Sequence, residues 1–246
     1  GNVVDGMPWS FEYQGQPGAL NEHISDVFGS LVRQRVHGQR ADQASWLIGE
    51  ELLTAKIRGR ALRDMRNPGT AYDDPIIGKD PQPADMAHYV ETGEDNGGVH
   101  INSGIPNRAF CLACLERGGE AWPTIGKVWY DTLLHRTGRR TSFGTFAAAT
   151  HASAQELFGA GSAETAAILE GWRTVGIDPL ATPVPDPVPA PQRSPCEGEL
   201  LAILRDPLMR VHLAALAVHP DPEVHLLLEI LQDVPAFVFT AHTPSF

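Results

Sequence analysis

A chain of 246 residues with 19 Lys and Arg against 30 Asp and Glu carries a formal net charge of −11 at pH 7. That balance argues against nucleic acid or an anionic membrane surface as the main partner, because both reward basic faces. The length suits one large domain, or a medium one with a small appendage, and no apolar run reaches the ~18 residues of a membrane-spanning helix.

The first residues, through Tyr13 and Gln14, read as extended or looped, punctuated by Gly6, Pro8, Gly15 and Pro17. A helix follows, because Ile24, Val27, Phe28, Leu31 and Val32 recur at helical spacing. Trp46 to Ile57 is a mixed apolar stretch, and Arg66 to about Asn102 is rich in Pro, Gly and Asp. A loop of that length is uncommon in a compact domain unless it has a function. Helical character returns from Ser103, with an apolar segment through Glu116 that stops at Gly118 and Gly119. Within it, Cys111 and Cys114 form a C-x-x-C, but no second pair completes a four-thiolate metal site. Buried thiols are the expectation, and with Cys196 as the third cysteine no disulfide framework forms.

Three more helices follow. One runs from Ile125 to His135; another, capped by Thr141 or Ser142, runs to Leu157 and Gly159; the last runs from Ser162 to Val175 and Gly176. Residues 178–195 form a Pro-rich linker, and residues 196–246 a small amphipathic helical tail. The fold class expected is mainly α: a helix bundle over residues 1–177, with a long loop-rich segment and a small helical tail. In the tail, His212, His219 and His225 are broken up by Pro220 and Pro222, which makes a zinc site there a poor reading.

Two segments carry candidate chemistry. In Gly18 to Gly29, Glu22 and Asp26 stand four apart on one helix face. Side by side they repel unless a cation or donor lies between them, so the pair reads as a solvated acidic face or as part of a metal site. In Asp95 to Asn107, an Asn-Gly-Gly turn can fold Asp95 back toward His100. A carboxylate on one ring nitrogen fixes the tautomer and supports the charged form, suited to oxyanion stabilisation or merely to bridging two loops.

Together these segments, G-A-L-N-E-x-x-S-D and, about 70 residues on, D-N-G-G-V-H-x-N-S-G-I, closely resemble the thermolysin family of zinc metallopeptidases, protealysin-like members above all. The likeness extends over roughly residues 11–177, including Trp46-Leu47-Ile48-Gly49 and Leu62-Arg63-Asp64-Met65. It implies the helical C-terminal half of a zinc metalloendopeptidase acting on peptides or proteins. Glu22 matches the third zinc ligand, and Asp26 the carboxylate that orients a ligating histidine. His100 matches the donor to the tetrahedral oxyanion, with Asp95 holding it and Tyr13 facing the same oxyanion. Arg63 matches the arginine that binds the substrate carbonyl, and Leu62 a pocket wall.

The departures matter as much. The family mechanism needs H-E-x-x-H, two histidine ligands and a glutamate base on one helix. No two of the ten histidines here are four residues apart. The resemblance places that motif's second histidine about twenty residues before Glu22, near Asn2, so the motif falls at or before Gly1. The chain by itself is therefore expected to bind zinc weakly or not at all and to be inactive. The alternative is a non-enzymatic module that uses the peptidase scaffold for binding or regulation. A zinc site rebuilt from Glu22, His23 and His100 is unattractive, since helix neighbours point about 100° apart. Arg33 stands where the family's paired calcium site has a glutamate, so no double calcium site is expected, and Glu50 is free to pair with Arg33. An open cleft face invites homodimerisation. The family is mostly secreted, but protealysin-like members can lack a classical signal peptide, which leaves the compartment open.

Overall fold

The computed structural model describes residues 11–185 and 187, apart from residue 51. The expected tail over 196–246, the end of the linker over 178–195, Asn2, Cys196, His212, His219 and His225 lie outside the described residues.

The first helix, α1, spans Gly15–Val36 and buries Ala19, Leu20, His23, Asp26, Val27, Ser30 and Leu31. This face is rotated from the one the apolar residues suggest. Val32 is exposed, Ile24 and Phe28 are half-buried, and the polar His23 and Asp26 take central places. They can do so because both are hydrogen-bonded, which removes the penalty for burying them.

Two short antiparallel pairs follow: β1 (Leu47–Ile48) with β2 (Arg63–Asp64), and β3 (Asp73–Asp74) with β4 (Gly78–Lys79). Three buried aspartates shape most of this loop region by accepting backbone N–H groups, as Asx turns do. Asp64 takes Arg66 N and Asn67 N, Asp74 takes Arg58 N and Ile76 N, and Asp80 takes Gly69 N, Ala71 N and Gln82 N.

The loop ends sooner than its composition suggests, because α2 covers Asp95–Asn102. Its opening is a run of left-handed residues: Asp95, Asn96, Gly97 and Gly98, with φ of 52°, 49°, 79° and 76°. A regular turn from Val99 then leads through Ser103 into α3 (Gly104–Arg117). Gly118, with φ 68°, closes α3 as expected by donating to Cys114 O. Cys111 and Cys114 are free and buried on that helix.

A π-turn at Trp122–Gly126 feeds α4 (Lys127–His135). Ser142 caps α5 (Phe143–Phe158) and Ser162 caps α6 (Ala163–Thr174), each accepting the N–H three residues on. Trp129 of α4 stacks on Trp172 of α6, with planes 3° apart and ring centroids separated by 6.1 Å. Phe110 and Phe146 meet Trp129 edge-on at 5.0 and 6.0 Å. The His23 ring enters this aromatic cage from α1, edge-on to all three.

Candidate active site

The left-handed run at Asp95–Gly98 folds the Asp95 carboxylate over the next turn. Its Oδ2 accepts His100 N at 2.8 Å and its Oδ1 lies 2.6 Å from His100 Nδ1. The ring therefore gives its Nδ1 proton to Asp95 and turns Nε2 outward. Helix α2 reaches α1 at Gly18, where a Cβ would sit 2.5 Å from Val99 Cγ1 and 3.0 Å from the Tyr13 carbonyl carbon. This close approach sets His100 beside the start of α1. Its Nε2 lies 3.2 Å from the Tyr13 hydroxyl and 3.4 Å from Glu22 Oε2. The Tyr13 hydroxyl donates to Glu22 Oε1 at 2.5 Å. Burial, and then the bond to Glu22, push the Tyr13 phenol well above its ordinary range, so it stays a donor.

One turn along α1, Asp26 is almost fully buried and accepts a bidentate pair from Arg63, Nη2 at 2.6 Å and Nε at 2.8 Å. Asn107 Nδ2 donates to the same carboxylate at 2.8 Å. Burial works against the Arg63 charge, yet the hydrogen bonds and charge of Asp26 raise its pKa above the usual arginine value. Leu62, 38 % exposed, stands next to Arg63, and its backbone N–H donates to Ile48 O.

The structure thus gathers Tyr13, Glu22, Asp95 and His100 into one cluster and joins Asp26 to Arg63 beside it. Three supporting residues carry no obvious signal in the sequence. Gln82 Nε2 donates to His100 O at 2.8 Å and Ser103 Oγ at 3.0 Å, tying the long loop to α2. Asn102 exchanges hydrogen bonds with the Val90 backbone. His23, next in sequence to Glu22, points the other way, with Nδ1 2.7 Å from Asn107 Oδ1 and Nε2 accepting Trp129 Nε1 at 2.8 Å.

Residues 10–177 match the model of the thermolysin metallopeptidase alpha-helical domain. The chain belongs to that family. It is 52% identical over 167 residues to an extracellular metalloprotease of Pectobacterium carotovorum subsp. carotovorum, covering 68% of this chain and 48% of that protein. It is 35% identical over 177 residues to a thermolysin of Alicyclobacillus acidocaldarius subsp. acidocaldarius, covering 67% of this chain and 29% of that one. Among solved structures it is similar to the precursor of protealysin, a metalloproteinase from Serratia proteamaculans, with 51% identity and a TM-score of 0.68. That match covers 71% of this chain and 54% of the other. The chain spans about half the length, or less, of the curated relatives it matches.

Thermolysin-family membership implies zinc, and the donor set can be tested for it. A catalytic zinc takes three protein ligands plus water. Glu22 offers one partly exposed carboxylate, but no three His, Cys, Asp or Glu groups converge on a point among the described residues. His23 is committed to the aromatic cage. The described residues of this thermolysin-type domain therefore do not, on their own, fit the ion. Arg33, at the expected calcium position, pairs with Glu50 at 2.7 Å. No helix among the described residues is long and apolar enough to cross a membrane.

Proposed function

We propose that this chain is the substrate-facing helical half of a zinc metalloendopeptidase, and that His100, Tyr13 and Arg63 act directly on the bound peptide. The single observation that supports this best is the convergence of His100 Nε2 and the Tyr13 hydroxyl at one edge of Glu22. An imidazole nitrogen and a phenol fixed at one point can turn donors toward an oxygen that gains negative charge as a peptide carbonyl becomes tetrahedral, the phenol proton turning from Glu22 to do so. Asp95 orients His100, while Tyr13 stays protonated. Arg63, anchored through Asp26, has donors left to grip a substrate carbonyl, and Leu62 forms a wall for an apolar side chain. Glu22 is the carboxylate assigned to the metal, and Asp26 supports the site through Arg63. A bound zinc supplies Lewis acidity and an activated water; the other ligands and the base are not among the described residues.

The coding frame preceding Gly1 tests the reading. H-E-x-x-H about twenty residues before Glu22 supports it, and an upstream frame without that motif refutes it for this protein. The 246-residue chain alone should retain no zinc after dialysis and leave a furylacryloyl dipeptide amide intact. Stoichiometric zinc with hydrolysis would overturn the claim that these residues cannot hold the ion by themselves.

A further inference from the structure

Away from the His100 cluster, Arg58, Arg60 and Lys79 line a cavity of about 550 Å³ with Thr70, Tyr72 and Asp73. Its walls come from the two arms of a loop. Gly59 bridges to Tyr72, Arg60 N donates to Ala71 O at 2.8 Å, and Asp73 N to Arg58 O at 3.0 Å. The carboxylates nearby are already occupied. Asp74 and Asp80 are each consumed by backbone amides. Asp64 accepts two amides and holds the Arg60 guanidinium at 2.7 Å, while Thr70 Oγ1 steadies Arg60 at 3.2 Å. Arg58 and Lys79 differ: neither side chain has a hydrogen bond or ion pair with a described residue. Asp73 is the lone acid among the lining residues, against three cations, although the Asp74 carboxylate, kept ionised by backbone amides, also attracts Arg58.

Its position suggests an occupant. Arg60 and Arg63 are three residues apart, so their Cα atoms lie no more than about 10 Å apart. A peptide held by Arg63 and continuing in that direction would bring a residue two or three positions further on to the hollow. We propose that the hollow between Arg58, Arg60 and Lys79 is a subsite for the carboxylate of such a peptide, an acidic side chain or its C-terminus. Guanidinium and ammonium groups bind carboxylates through charge-assisted hydrogen bonds, and a fixed arginine fork adds direction. Arg60, held by Asp64, supplies the fixed fork, and Arg58 and Lys79 supply two cations that make no direct ion pair with a described residue. The proposal rests on the reading that a peptide lies beside Arg63. A small free anion shares the same chemistry and is the rival source.

Fluorescence anisotropy of labelled peptides on the full 246-residue chain tests it. A peptide with Glu two or three residues beyond its apolar anchor should bind about three- to ten-fold tighter than its Gln isostere. High salt should shrink that advantage. The double substitution Arg58→Gln, Lys79→Gln lies on exposed side chains, and an unchanged thermal melt verifies its fold. It should abolish the advantage and leave the Gln peptide bound as before. Equal binding of the two peptides to the parent chain overturns the subsite, as does an advantage that survives the double substitution. Sulfate that cancels the advantage at the peptide's own concentration assigns the hollow to a free anion, which overturns the peptide source. Arg63→Lys separates the two readings. Equal weakening of both peptides supports the cleft reading and the subsite built on it; a Glu preference that persists with no weakening means the cleft reading fails and the hollow stands alone.

Discussion

Lowering the pH should destabilise this domain chiefly through one residue, His23. The ring is fully buried, and burial pushes its pKa down to about 4, against the smaller raising effects of Asn107 and Asp26. In the unfolded chain the same ring titrates near 6.5. The folded state therefore binds its proton later than the unfolded state, and stability falls as pH drops through the interval between the two values. Above the unfolded pKa the neutral ring's contribution is complete; below about 4 the loss is complete. From about pH 7.5 to about pH 5 the linkage comes to about 2 kcal/mol, which for a domain of this size lowers Tm by about 4–8 °C. The full loss, reached near pH 4, is about 3 kcal/mol.

Urea melts in half-unit steps of pH measure this directly. Staying above pH 5 keeps most carboxylates out of the signal. His151, whose pKa burial also lowers, contributes with the same sign, so His23→Gln and His151→Gln are compared separately. The midpoint should fall with pH in the parent chain, and the slope should diminish most in His23→Gln. Stability that stays flat across that window, or a slope unaltered by His23→Gln, would refute the reasoning.

Three other outcomes are expected. Gly18→Ala forces a methyl against Val99 and the Tyr13 backbone; it should cost about 1–3 kcal/mol and, in the active enzyme, depress turnover by moving Tyr13 off Glu22. A melt within about 0.5 kcal/mol of the parent would show that the helices have slack there. Cys111 and Cys114 are buried, and burial raises both thiols far above their usual pKa, so peptide mapping after thiol labelling should find neither modified until denaturant is added. Labelling of either in the folded chain contradicts the burial. Millimolar calcium should leave Tm unmoved, because the Arg33 guanidinium already compensates Glu50; a rise of several degrees would mean a site that this ion pair does not block.

The parts of the fold legible in the sequence are those whose causes are local. Ser142 and Ser162 lie three residues before the N–H groups they satisfy, and Gly118 closes α3 onto Cys114. The pairing of Asp95 with His100 spans five residues, and the Asn-Gly-Gly between them announces its turn. The face that α1 buries was not legible, because hydrophobicity alone places His23 and Asp26 outside. Their partners Asn107 and Trp129 are 84 and 106 residues from His23. The same holds for Arg63, 37 residues from Asp26. Sequence resemblance gave the two separate roles, one toward substrate and one toward a histidine. Their pairing emerges only when β2 lies against α1. Gln82 belongs to the same class, since a glutamine in a Pro-rich loop gives no sign that it will tether the His100 carbonyl.

These long-range bonds also have a direction, fixed by which atoms can donate. The indole N–H of Trp129 is only a donor, so His23 must accept at Nε2 and carry its proton on Nδ1. That proton goes to Asn107 Oδ1, which turns the Asn107 amide nitrogen toward Asp26. Asp26 then receives donors on every side and accepts most strongly as a carboxylate, whose buried charge calls for a cation. Arg63 supplies it with both arms of its fork. Charging His23 breaks the first link, placing one N–H against another, while the Nδ1 proton stays on Asn107 Oδ1. The buried His23 and the anchored Arg63 are thus two ends of one hydrogen-bonded chain. Asp26 acts on both, so Asp26→Asn should loosen Arg63 and, by removing the charge that holds the His23 pKa up, deepen the acid sensitivity in a single change.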